Sequence, residues 1–159
     1  MSASGAQAII ERVQANWQPF RSAATALGPE GLERTTPAGW SAKAMLGTIG
    51  FWDEAAFGWI TLGLRQKELP KGWAFGSGYV EEPIWPRAEV HNAREGAWGA
   101  AHPAADVLER CDRAHAQLLS LLETVTDEEA IRYRDYFDRL GLHYADHQPE
   151  LEALLAVTT

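Results

Sequence analysis

The sequence predicts an all-α fold: an antiparallel four-helix bundle with a long crossover connection between helices two and three. Three observations lead there. Apolar residues recur at helical three-and-four spacing in four segments. Alternating strand patterns are almost absent. A glycine- and proline-rich stretch from Leu69 to Pro86 separates the second segment from the third.

The first helix carries Ile10, Val13, Trp17, Phe20, Ala24 and Leu27 on one face and meets the stop signals Gly28 and Pro29. After the turn-rich stretch Thr35-Thr36-Pro37-Ala38-Gly39-Trp40, Ser41 is placed to cap the second helix. Helix two runs to about Gln66 and is apolar almost all round. Such a helix lies at the centre of a fold or in a subunit interface, so a homodimer is expected. Between Leu69 and Pro86, six glycines and prolines forbid a long helix, while Trp73, Phe75, Tyr79 and Trp85 point to a connection that covers the bundle and lines a pocket. Helix three is read over Arg87 to Trp98, pauses at His102-Pro103 and resumes through Val107, Cys111, Ala114, Leu118, Leu121 and Val125. Pro103 suits the first turn of that second piece. Thr126-Asp127-Glu128-Glu129 reads as a capping box. The last stripe is Tyr133, Phe137, Leu140, Tyr144, His147, Leu151 and Leu154. Gly141 and Pro149 fall inside it, which predicts a kink or a later start.

At 159 residues the chain fits one domain spanning 1–159. The lone Cys111 excludes an intramolecular disulfide framework and any CxxC motif; with no signal peptide in view, a cytoplasmic protein is expected. A formal net charge of −8 argues against nucleic acid, whose phosphates need clustered Lys and Arg. Asp53 and Glu54 interrupt the apolar run from Ala44 to Leu64, which argues against a membrane span. A small-molecule substrate is the expected partner.

The main chemical signal is His143-Tyr144-Ala145-Asp146-His147. Two histidines at this spacing share a helix face and can share a metal ion, with Glu150 on roughly the same face. A hydrogen-bonded structural histidine is the other reading of His147, which lies on the apolar stripe. Tyr144 occupies the glutamate position of HExxH, so the general base of that motif is missing. Asp53 falls on the inner register of helix two with Ile49, Ala56 and Ile60. It is either a buried acid that needs a partner or an exposed one beside Glu54. His91 opens the third helix as a reserve ligand, an acid-base group or a solvated residue. Cys111 sits on an apolar stripe and reads as a core residue.

The run from Pro37 through Gly39-Trp40-Ser41-Ala42-Lys43 to Trp52-Asp53 resembles the GWS-x-K-x-x-L-x-H-x-x-x-W-[ED] signature of the DinB-like superfamily of four-helix bundles. The pattern continues with His91-Asn92-Ala93 and His143-x-x-x-His147. Similar members include bacillithiol and mycothiol transferases and maleylpyruvate isomerases. The resemblance implies a divalent metal such as zinc or nickel on His143 and His147, with a third imidazole from helix two. Thr48 stands where the signature has that histidine. An incomplete triad, with metal weakly bound or absent, is therefore expected, and Thr48 becomes a candidate substrate contact. The colibactin self-resistance branch resembles this chain more loosely and need not use a metal.

Three functions follow as expectations. The first is a metal-dependent hydrolase or thiol transferase acting on a small molecule, with Asp53, Glu150 or His91 completing or supporting the site. In the second, His143 or His147 works with Asp53 as a metal-independent acid-base pair. The third is a non-catalytic dimeric protein that binds its ligand among Trp73, Phe75, Tyr79 and Trp85.

Overall fold

A computed structural model describes residues 5–66 and 88–157. The helices are α1 (Gly5–Leu32), α2 (Ala42–Gly58), α3 (Ala88–Ala101), α4 (Ala104–Leu122), α5 (Asp127–Arg132), α6 (Arg134–Phe137) and α7 (Leu142–Ala156). A π-helical segment over Trp59–Arg65 continues α2. Among the described residues there is no strand beyond an isolated bridge between Thr35 and Ser41. None of these helices is long and apolar enough to cross a membrane. The expected crossover, with Trp73, Phe75, Tyr79 and Trp85, lies outside the described residues.

Local sequence explains the boundaries. Ser41 caps α2 by accepting from the Ala44 N–H at 3.0 Å, and Thr126 with Glu129 forms the reciprocal capping box that starts α5. α1 kinks at Gly28 (φ 66°) instead of stopping there. The last apolar stripe is broken at Gly141, whose φ of 80° lies in the left-handed region that a side chain disfavours. A Cβ there would also come within 3.0 Å of Val13 Cα. α7 therefore begins at Leu142 and carries Pro149 within it.

Contacts fix the helix directions. Arg12 donates to the carbonyls of Phe137 and Leu140, Asn16 to that of Gly141, and Trp17 meets Tyr144, so α1 and α7 run parallel. Leu46 meets Cys111, and Arg65 reaches Thr124, so α2 and α4 also run parallel. Arg21 pairs with Asp112 while Trp17 stacks on His115, which makes α1 and α4 antiparallel. Trp40 meets Glu150 and Asp53 meets Tyr144, which makes α2 and α7 antiparallel. Two of these four pairs are thus parallel where a uniformly antiparallel bundle was expected. The core between the four helices holds Val13, Phe20, Leu46, Ile49, Leu118, Tyr144 and Leu151.

The reading of 87–125 as one interrupted helix is corrected. Gly99 lies against Lys43 and Ala44 while His91 stacks on Phe51, so α3 runs antiparallel to α2. The chain reverses before α4, which starts after the non-helical Pro103. The physical reason is the proline, which removes an N–H and disfavours helical backbone at His102. α3 covers α2 on one side, with α4 and α7 on others, so the apolar circumference of helix two is buried inside one chain. Arg110 ties three helices by donating to Glu54 and Glu95, each at 2.8 Å, with its guanidinium 4.5 Å from the Trp98 ring centre.

The α2–α3 contact is backbone on backbone. A Cβ at Gly47 would sit 2.5 Å from the Glu95 carbonyl oxygen, and one at Gly99 would sit 2.6 Å from that of Lys43. At Gly96 the nearest atom to an added Cβ is 3.9 Å away. Gly47→Ala and Gly99→Ala should each lower the unfolding free energy by about 2 kcal/mol in urea titrations, because backbone cannot move aside. Gly96→Ala should be neutral or stabilising by up to about 1 kcal/mol, from helix propensity.

Candidate functional site

Asp53 is 0% exposed and points from α2 toward α7 and α4. Its Oδ2 accepts from the Tyr144 hydroxyl, and its Oδ1 lies 3.0 Å from His143 Nε2. That second approach is at ion-pair distance but off the alignment of a hydrogen bond, and both atoms are buried. A carboxylate moved out of water needs such partners, since an unpaired buried charge is costly. Of the alternatives for Asp53, the buried one holds.

The network extends inward. His115 Nδ1 is 2.9 Å from the Tyr144 oxygen, whose only proton goes to Asp53, so Nδ1 is the donor. Burial pushes His115 down to about 4, against smaller opposing effects of Asp53 and Asp112. The ring stacks on Trp17 with centroids 4.0 Å apart, and Tyr144 lies between Trp17 and Phe20 at 5.0 and 5.7 Å. Burial, followed by the Asp53 charge, raises Tyr144 far above the ordinary phenol range, which keeps it a donor. Burial also raises Cys111, whose thiol donates to the Leu46 carbonyl at 3.0 Å; it is a core residue.

One turn along α7, His147 Nδ1 lies 3.3 Å from Glu150 Oε2, which also accepts from Trp40 Nε1 at 3.2 Å. The side chains of His143 and His147 are 26% and 27% exposed, so both rings are partly open to solvent. Thr48 and His91 lie on the α3 side of α2 instead. The Thr48 hydroxyl donates to the Met45 carbonyl at 2.7 Å and its methyl faces Gly96. His91 is buried, stacks on Phe51 at 5.2 Å and has Nδ1 3.1 Å from Arg94 Nη2.

The three-histidine centre that the resemblance implies does not fit these residues. Thr48 supplies no imidazole, and its hydroxyl proton is committed to its own helix. Among the described residues no three His, Cys, Asp or Glu side chains gather as metal ligands. The structure instead brings together Asp53, His143, Tyr144 and His115, two of which the site reading did not single out. His115 carried a signal in its position: it continues the Cys111–Leu118 stripe, where a histidine must find a partner inside the core.

These features describe a helical protein whose long helices enclose a buried carboxylate and an imidazole at its edge. Residues 12–155 match the family model of the DinB superfamily, and the chain belongs to that superfamily. Comparison with characterised proteins and with solved structures finds no match.

The lowered His115 value has a direct consequence for acid stability. The unfolded chain binds a proton near pH 6.5 and the folded chain near pH 4, so stability falls as the pH drops through that window. Between pH 7 and pH 4.5, wild type should lose about 2 kcal/mol more unfolding free energy than His115→Gln. Parallel denaturant titrations at the two pH values check this.

Proposed function

We propose that this protein modifies a small molecule through an Asp53–His143 acid-base pair, without the three-histidine metal centre of its superfamily relatives. One observation carries the reading: a fully buried carboxylate with one oxygen held by Tyr144 and the other 3.0 Å from an imidazole that is partly open to solvent. We read α1, α2, α4 and α7 as the four-helix bundle around this pair.

The chemistry follows from the two ring nitrogens. A carboxylate beside Nε2 favours the tautomer with its proton there, which leaves the Nδ1 lone pair to accept a proton from a substrate. Asp53 then stabilises the imidazolium that forms. Tyr144 holds the carboxylate in place and is itself held by His115.

The test uses 5-nitrobenzisoxazole, whose C–H bond is broken by a base while the N–O bond opens to a coloured nitrile phenolate. Wild type should outpace free imidazole at equal concentration. Asp53→Asn and His143→Gln should each lose about tenfold or more. Dialysis against EDTA should leave the rate unchanged. A rate lost to EDTA and restored by zinc would establish the divalent-metal reading instead. No rate above imidazole would favour a non-catalytic binding protein.

The metal question has its own readout. Thr48→His supplies the missing imidazole type, yet the side chain at position 48 faces α3. Calorimetric titration with zinc should therefore give weak binding to both wild type and variant. A gain of about tenfold or more in the variant would place position 48 at a metal site.

A further inference from the structure

His147 and Glu150 play no part in the pair just described, yet they form a second carboxylate–imidazole pair on the same helix. Glu150 Oε2 accepts from Trp40 Nε1 at 3.2 Å and lies 3.3 Å from His147 Nδ1. A carboxylate can only accept, so the neutral form of the His147 ring carries its proton on Nδ1 and keeps a lone pair on Nε2. At His143 the arrangement is reversed: Nε2 is the nitrogen beside the Asp53 carboxylate, which favours the proton there and leaves the lone pair of the neutral ring on Nδ1. Two neutral rings one helical turn apart thus favour opposite tautomers, and among the described residues the remaining nitrogen of each has no hydrogen bond while a carboxylate stands at the other.

The charge around these rings is one-sided. Among the described residues the ion-pair contacts of Asp53 and Glu150 are these two histidines alone, with no Lys or Arg. Asp53 is wholly buried, and its Oδ1 has no aligned donor. The chain as a whole carries a formal charge of −8. Aromatic rings flank both histidines, with Trp40 centred 5.7 Å from His147 and Tyr144 centred 4.2 Å from His143.

We propose that this face of α7 binds a small organic cation with at least two N–H donors, of the amidinium or guanidinium kind. The inference rests on the Asp53–His143 reading and adds the ligand class to it. Two acceptor nitrogens require a ligand that donates twice, and two carboxylates behind them reward positive charge. The Trp40 indole beside His147 adds a cation–π attraction. An anionic ligand would meet lone pairs and like charge.

The test uses protein labelled with 15N in histidine and long-range 1H–15N spectra at mildly alkaline pH, which report each ring's tautomer without a known substrate. His143 should show its proton on Nε2 and His147 on Nδ1. Benzamidine should shift both rings, whereas benzamide and benzoate should not. Glu150→Gln should weaken benzamidine by about tenfold and alter the His147 signals alone. A His147 ring protonated on Nε2, benzamidine that leaves both rings unmoved, or benzoate bound as tightly as benzamidine would overturn the proposal. A His143 ring protonated on Nδ1 would overturn both this and the acid-base reading. The two failures are told apart because they appear on separate resonances.

Discussion

A carboxylate with no exposed surface constrains the whole arrangement of the long helices. Asp53 is tolerable in the interior only because Tyr144 donates to one oxygen and His143 stands beside the other. Tyr144 comes from a position 91 residues away, and it is held in turn by His115 and by the rings of Trp17 and Phe20. α2, α4 and α7 supply the polar members and α1 the rings packed on them, so the cluster is complete only when all four helices are docked. Removing a single partner would leave charge in a low-dielectric interior, a penalty larger than the net worth of the contact it breaks.

The two sides of α2 are built on different physics. Toward α7 and α4 it carries Asp53 and depends on hydrogen bonds. Toward α3 it carries Gly47 and Thr48 and depends on close backbone approach. Positions 48 and 53 are five residues apart, about 140° around a helix, so one helix neighbour cannot serve both equally. That angle is why Thr48 and the buried aspartate lie in separate environments. His91, carried by α3 itself, is buried on that side against Phe51 and Trp52.

Much of this was legible from local chemistry. The Ser41 cap, the Thr126–Glu129 box and the apolar faces of the first, second and last helices follow from side chains that act on their own backbone or repeat at helical spacing. Asp53 was readable as an inner position because Ile49, Ala56 and Ile60 bracket it, but its partners were not. The reversal at His102-Pro103 escaped because apolar periodicity resumes beyond the proline, and spacing says nothing about direction. His115 escaped for a related reason: a histidine on an apolar stripe announces a need for a partner without naming it. Tyr144 looked like one more core aromatic, since the hydroxyl that matters is invisible to hydrophobic pattern.

Gly141 does more than end a helix. Its left-handed backbone seats the chain against Val13 of α1, and everything on α7 is measured from that seat. With a rise of about 1.5 Å per residue, His143, Tyr144 and His147 stand roughly 3, 4.5 and 9 Å beyond it along the axis. A single residue inserted into α7 just beyond that joint would advance these side chains by about 1.5 Å and swing them by about 100°. Tyr144 would leave Asp53, and His147 would leave Trp40, although no member of either cluster had been changed. The site therefore has a length standard as well as a composition, and a chain could lose it by insertion while keeping every one of its residues.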